Sequence, residues 1–187
     1  MTTTELLDAW IGGGDTIVQF ASDQVQASRL SSIDKAALEL GLPEDAAPFL
    51  SFGARRNGKV LLTVSELWRL PPEFDDLIVI GGNGSGDPVC IDVEDGSVVY
   101  LSHDNEFQIV LINSSLQALV QSLLGYRELV REARTNHGDD AFLENNVPSA
   151  SIEAFADLIS QVDREAASPG TFWGDRIEDL RRGPDAV

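Results

Sequence analysis

The hydrophobic period switches from that of strands to that of helices at Asn113-Ser114, and that change limits the fold more than any motif does. Before it, four apolar runs alternate with the two-residue period of strands. They are Leu77 to Gly81, Val89 to Val93, Ser97 to Leu101 and Phe107 to Ile112. The first is apolar on both faces, as in a buried strand. The second puts Val89, Ile91 and Val93 on one side and Cys90 and Asp92 on the other. Their connections are short, and Glu94-Asp95-Gly96 is a hairpin turn signal. Parallel neighbours would need long crossovers, so the pattern predicts an antiparallel meander.

After the change, Leu116, Leu119, Val120, Leu123, Leu124 and Val130 recur at helical spacing. Ser114 and Gln117 read as a capping box. The helix is expected to end about Arg134, with Gly138 beyond it. Gly125 inside it costs ~1 kcal/mol relative to Ala, so a kink or a close packing contact is expected there. Ile152, Phe155, Leu158, Ile159 and Val162 mark a second amphipathic helix, and Trp173, Ile177 and Leu180 a short last one.

The N-terminal part reads as mainly helical. Thr4 to Ile11 predicts a short helix stopped by Gly12-Gly13-Gly14, and Thr16 to Phe20 a strand. Ser31 to Leu40 predicts a helix with Ser31 as N-cap, ended by Gly41 and Pro43. Phe49 to Phe52 and Lys59 to Thr63 are strand candidates, the latter after an Asn57-Gly58 turn signal. Ser65 to Trp68 fits one helical turn before Pro71-Pro72. The whole predicts an α+β fold, a mostly antiparallel sheet of about five to six strands flanked by N-terminal and C-terminal helices. The 187 residues suit a single domain over 1–187, with a core at 31–180, an N-terminal helical and strand extension at 1–30 and a frayed tail at 181–187.

Charge narrows the function. Acids outnumber bases 31 to 13, a net charge of −18. This balance argues against nucleic-acid binding through a basic groove, and against an anionic membrane surface, so neither is expected as a partner. No stretch approaches the ~20 apolar residues of a membrane span, and the N-terminus has no basic start followed by an apolar run. The chain is expected to work in the cytoplasm. From Leu70 to Tyr126 there is no Lys or Arg. The acids there are Glu73, Asp75, Asp76, Asp87, Asp92, Glu94, Asp95, Asp104 and Glu106, half of the net charge. They fall mainly in strand connections and are expected to gather along the loop edges of the sheet. Arg127, Arg131 and Arg134 share one helix face by spacing.

Chemistry-bearing motifs are weak. Gly81-Gly82-Asn83-Gly84-Ser85-Gly86 lacks the Lys and the following helix of a phosphate loop, and reads as a turn between strands. His103 and Asp104 are adjacent, which on a continuing strand points them to opposite faces. Cys90 is apolar in setting, and Asp92 two residues on disfavours its thiolate, so it reads as core. One cysteine and two histidines make neither an internal disulfide nor a common zinc site. The spacing of Asp92 to Gly96 does not fit a calcium loop, and Glu73, Asp75 and Asp76 read as a solvated acidic loop. No metal, no cofactor and no enzyme activity is expected.

Gly41-Leu42-Pro43, Ile80-Gly81-Gly82, Asp87-Pro88-Val89-Cys90-Ile91-Asp92 and Gly96-Ser97-Val98 resemble, in order and type, the SUKH superfamily. Ile112-Asn113-Ser114-Ser115-Leu116, the following helix with Tyr126-Arg127, and Phe172-Trp173 resemble its fourth immunity family in particular. The resemblance implies the same α+β fold. It also implies an immunity protein of a bacterial polymorphic toxin system, binding a cognate secreted toxin C-terminal domain; such domains are often nucleases. The nine acids are then the expected docking residues, acting as an acidic sheet edge toward a basic partner. The alternative is a non-catalytic regulatory scaffold that binds a cellular protein.

Overall fold

A computed structural model describes residues 3–12, 14–53, 61–142, 144 and 146–183. Helix α1 (Thr3–Gly12) precedes strand β1 (Ile17–Val18), α2 (Ser22–Ala27) and α3 (Ser32–Leu40). Three short strands follow, β2 (Leu42–Pro43), β3 (Asp45–Ala46) and β4 (Leu50–Phe52). Then α4 (Val64–Trp68) and a 3₁₀ turn at Pro72–Phe74 lead into β5 (Leu77–Asn83), β6 (Pro88–Asp92), β7 (Val98–Ser102) and β8 (Gln108–Asn113). Helices α5 (Leu116–His137), α6 (Ser149–Val162) and α7 (Phe172–Arg182) complete the order.

The main sheet has six strands in the order β3-β4-β5-β6-β7-β8, each antiparallel to its neighbour. It is the meander that the short connections require, within an α+β fold. Alternation sends one set of side chains to each face. Ile78, Ile80, Val89, Ile91, Val98 and Ile112 join the main core with Leu119 and Tyr126 of α5, Phe155 of α6 and Trp173 of α7. The opposite face carries Leu77, Val79, Cys90, Val99 and Leu101 under a thin cover of Val64, Leu67 and Phe74. Trp10 and Phe20, from the stretch read as an extension, are also buried in the main core.

Several details differ from the sequence reading. The strand expected at Thr16 to Phe20 shrinks to Ile17–Val18, which pairs with Leu42–Pro43, so the helix stop at Gly41 to Pro43 is itself a strand. Of the candidate at Lys59 to Thr63, Thr63 bridges Ile78 and the Leu62 carbonyl accepts from Val79 N at 2.8 Å. Lys59 and the Asn57-Gly58 signal lie outside the described residues. The cap of α5 is Ser115, not Ser114: its Oγ accepts from Ala118 N at 3.2 Å. Ser114 N donates instead to Asp163 Oδ2 at 2.6 Å. Helix α5 runs on to His137, and Arg181 and Arg182, expected to fray, are in α7 and pair with Glu153, Glu178 and Asp179. At Gly125 an added Cβ would fall 2.8 Å from Leu158 Cδ2, so close packing of α6 on α5 explains the glycine.

One buried polar network fastens the end of the sheet to the C-terminal helices. Asn113 Nδ2 donates to Ser122 Oγ and to Asp163 Oδ2, both at 3.1 Å. Its Oδ1 accepts from Trp173 Nε1 at 2.9 Å.

Candidate docking surfaces

Consecutive turns of an antiparallel meander fall at alternate ends of the sheet. The nine acids are divided accordingly. Glu73, Asp75, Asp76, Asp92, Glu94 and Asp95 lie at one end, where β5 begins and the β6–β7 turn closes. Leu77 pairs with Asp92, and Val93 N donates to the Asp76 carbonyl at 2.9 Å, which locks the two acidic segments together. Asp87, Asp104 and Glu106 lie at the opposite end, in the β5–β6 and β7–β8 connections. The expected acidic edge is two acidic ends.

At the first end Glu73, Asp75, Glu94 and Asp95 are exposed, and Asp76 and Asp92 half-buried. Asp92 Oδ1 accepts from Glu94 N at 2.9 Å and Asp95 Oδ1 from Ser97 N at 2.8 Å, so these carboxylates shape their own turn. Asp76 pairs with Arg29 at 2.6 Å. Arg29 also donates to the Asp75 carbonyl, and the Asp75 carboxylate accepts from Ser65 Oγ.

At the second end Asp87 is only 5% exposed. Its Oδ1 accepts from His103 N at 2.9 Å and meets His103 Nδ1 at 2.5 Å, and its Oδ2 accepts from Asn83 Nδ2 at 2.8 Å. Burial works against its charge, but the hydrogen bonds from His103 and Asn83 outweigh it and hold its pKa below the usual value. Asp87 therefore clamps two turns together and offers no charge to a partner. The bond to Asp87 raises the pKa of His103, whose Nε2 lies 3.3 Å from Asp104 Oδ1. The strand ends at Ser102, so the opposite-face argument for His103 and Asp104 does not apply.

Asp104 and Glu106 are exposed on the β7–β8 turn. Glu106 and Phe107 are both left-handed, with φ of 53° and 60°. Such residues persist where the surroundings impose them. Here the Phe107 ring packs edge-on against Trp68 at 5.8 Å and Phe74 at 6.2 Å, and Gln108 N donates to the Asn105 carbonyl at 2.9 Å.

The other candidates resolve as structure. Cys90 is fully buried, and burial first, then the Asp92 carboxylate, pushes its thiol pKa far up. His103 has the carboxylate partner of an acid–base relay, yet among the described residues no Ser, Thr or Cys side chain bonds it. Among the described residues no cluster of His, Cys, Asp and Glu is placed to hold a metal, and no helix is long and apolar enough to cross a membrane. Gly81, Gly82 and Asn83 belong to β5; only Gly84-Ser85-Gly86 is a turn, over which Asn83 Oδ1 accepts from Ser85 N and Asp87 N. Arg127 turns inward, 4.5 Å over the Trp10 ring and bonded to Asp15 at 2.6 Å, and Arg131 pairs with Glu128.

Taken together, these features define an acidic α+β domain that presents turns and a strand edge to its surroundings. The model of the SUKH-4 immunity protein family matches residues 2–179, and the chain belongs to that family. The match includes residues 2–30, consistent with the burial of Trp10 and Phe20. Membership supports an immunity role with a toxin as partner. Comparison with curated proteins and with solved structures gave no match.

Proposed function

We propose that this immunity protein neutralises its toxin by stoichiometric binding, the acidic ends of the sheet meeting a basic toxin C-terminal domain. A nuclease fits this description, because its cleft must be cationic to hold phosphates. Acidic turns compete for such a cleft and accelerate encounter. The observation that carries the reading is the set of exposed carboxylates on turns whose shape is already fixed. Glu73, Asp75, Glu94 and Asp95 stand at one end, and Asp104 and Glu106 at the other. A turn whose backbone is already bonded loses little backbone freedom on docking.

The test is co-expression with a candidate toxin C-terminal domain, sought in the gene beside the one for this chain. The expected result is survival and a one-to-one complex. Glu73→Lys, Glu94→Lys, Asp104→Lys and Glu106→Lys together are expected to weaken the complex at least about a hundredfold. None of these four side chains bonds the backbone of its turn, so the fold is spared. Full protection by the quadruple variant would remove charge from the mechanism. Cell death with no complex would favour the regulatory scaffold.

A further inference from the structure

The two outer strands of the main sheet are treated differently. At one edge β3 has two residues, one of them the exposed Asp45. Short length and a charge are common ways of keeping an edge from pairing. At the other edge β8 runs for six residues, Gln108-Ile109-Val110-Leu111-Ile112-Asn113, with no charge and no proline. It pairs with β7 on one side, and among the described residues nothing pairs with its other side. Ile109 is 50% exposed, and Val110 and Leu111 are partly exposed on opposite faces of the strand. Behind them Tyr100 and Phe172 stack edge-on at 6.2 Å, both partly exposed. An open edge of this kind presents unpaired N–H and C=O groups in a row, with apolar side chains above and below.

We infer that β8 is the seat of the partner: an extended segment of the toxin domain adds to the sheet as a seventh strand. This rests on the reading that the partner is a toxin domain. Main-chain bonds would supply register, and the partly exposed side chains of Ile109 and Leu111 would pack against alternate apolar side chains of the added strand. Charge identifies the segment further. The turn that leads into β8 carries the exposed Asp104 and Glu106, and no Lys or Arg occurs between Leu70 and Tyr126. The added segment is therefore apolar in its middle and carries Lys or Arg where it passes that turn. A second copy of this chain is the poorer occupant, because each copy brings a net charge of −18.

The test is amide hydrogen exchange with and without the toxin domain found to form the complex by co-expression, used as an inactive variant. The amides among residues 109–112 that face the open edge, those not bonded to β7, are expected to exchange at least tenfold more slowly in the complex. Ile109→Lys, at a half-exposed position, is expected to weaken the complex at least tenfold, while Asp45→Lys at the opposite edge changes it less than twofold. Should Ile109→Lys not fold, the exchange measurement on the unaltered protein decides. A complex that forms and protects cells while β8 exchanges as in the free protein overturns the inference and leaves the immunity reading standing. Absence of both complex and protection removes that reading and the inference with it. Protection of β8 in the free protein, with the mass of a dimer, assigns the edge to a second copy and also overturns it.

Discussion

Asn113 shows how one side chain can join distant parts of a chain. It lies at the end of β8, is fully buried, and bonds residues on α5, on α7 and just past α6. Replacing it by Ala strands Trp173 Nε1, which has no other bond, and removes a donor from the buried Asp163 carboxylate. Asn113→Ala is expected to lower stability by about 2–4 kcal/mol, because buried groups left without partners bear their full desolvation cost. Ser122→Ala removes one bond of the same network and is expected to cost about 1 kcal/mol. Denaturant midpoints of the two variants check both values. None of this was legible in the sequence. An Asn after an apolar run reads as a turn former, and its partners lie 50 and 60 residues away. The same distance effect moved the α5 cap from Ser114 to Ser115: Asp163 takes the Ser114 amide. Cys90 was legible, since alternation and the neighbouring Asp92 are local facts.

Elements were legible in proportion to their length. The four long strands and the three C-terminal helices carry enough residues for a period to show. β2 and β3 have two residues each and α2 has six, too few for any period, and tertiary pairing alone defines them. Gly81 illustrates a second limit. In sequence it belongs to a glycine-rich turn, but it lies within β5 where β4 crosses closest. An added Cβ would sit 2.1 Å from the Ser51 carbonyl oxygen and 3.1 Å from Phe52 Cα. Both are backbone atoms and cannot swing aside. Gly81→Ala is therefore expected to push β4 away from β5 and cost more than about 2 kcal/mol. Faster amide exchange in Leu50–Phe52 than elsewhere in the sheet would mark β4 as the strand displaced. Stability within about 0.5 kcal/mol of the original would show that β4 yields freely.

At the scale of the molecule, charge count found the acidic segment but not its shape. The division between two ends follows from the meander itself, since each added strand reverses direction. Counting strands from Leu77 places the turns at Glu94-Asp95 and Asp104-Glu106 on opposite sides. The ends are about 17 Å apart, five residues of β6 at ~3.3 Å each. That exceeds the Debye length of ~10 Å at 0.1 M salt, so a charge at one end is largely hidden from the other. The two ends should then contribute independently to capture of a cationic toxin. Glu73→Lys with Glu94→Lys, and Asp104→Lys with Glu106→Lys, are expected each to slow association by about tenfold at about 0.1 M salt, and by about a hundredfold when combined. Both effects should shrink as salt is raised, with dissociation little changed. Stopped-flow association rates over a salt series measure this. If one pair alone lowered the rate and the other had no effect, only that end would face the toxin. Asp104 and Glu106 border β8, so docking along that strand requires that their pair lower the rate.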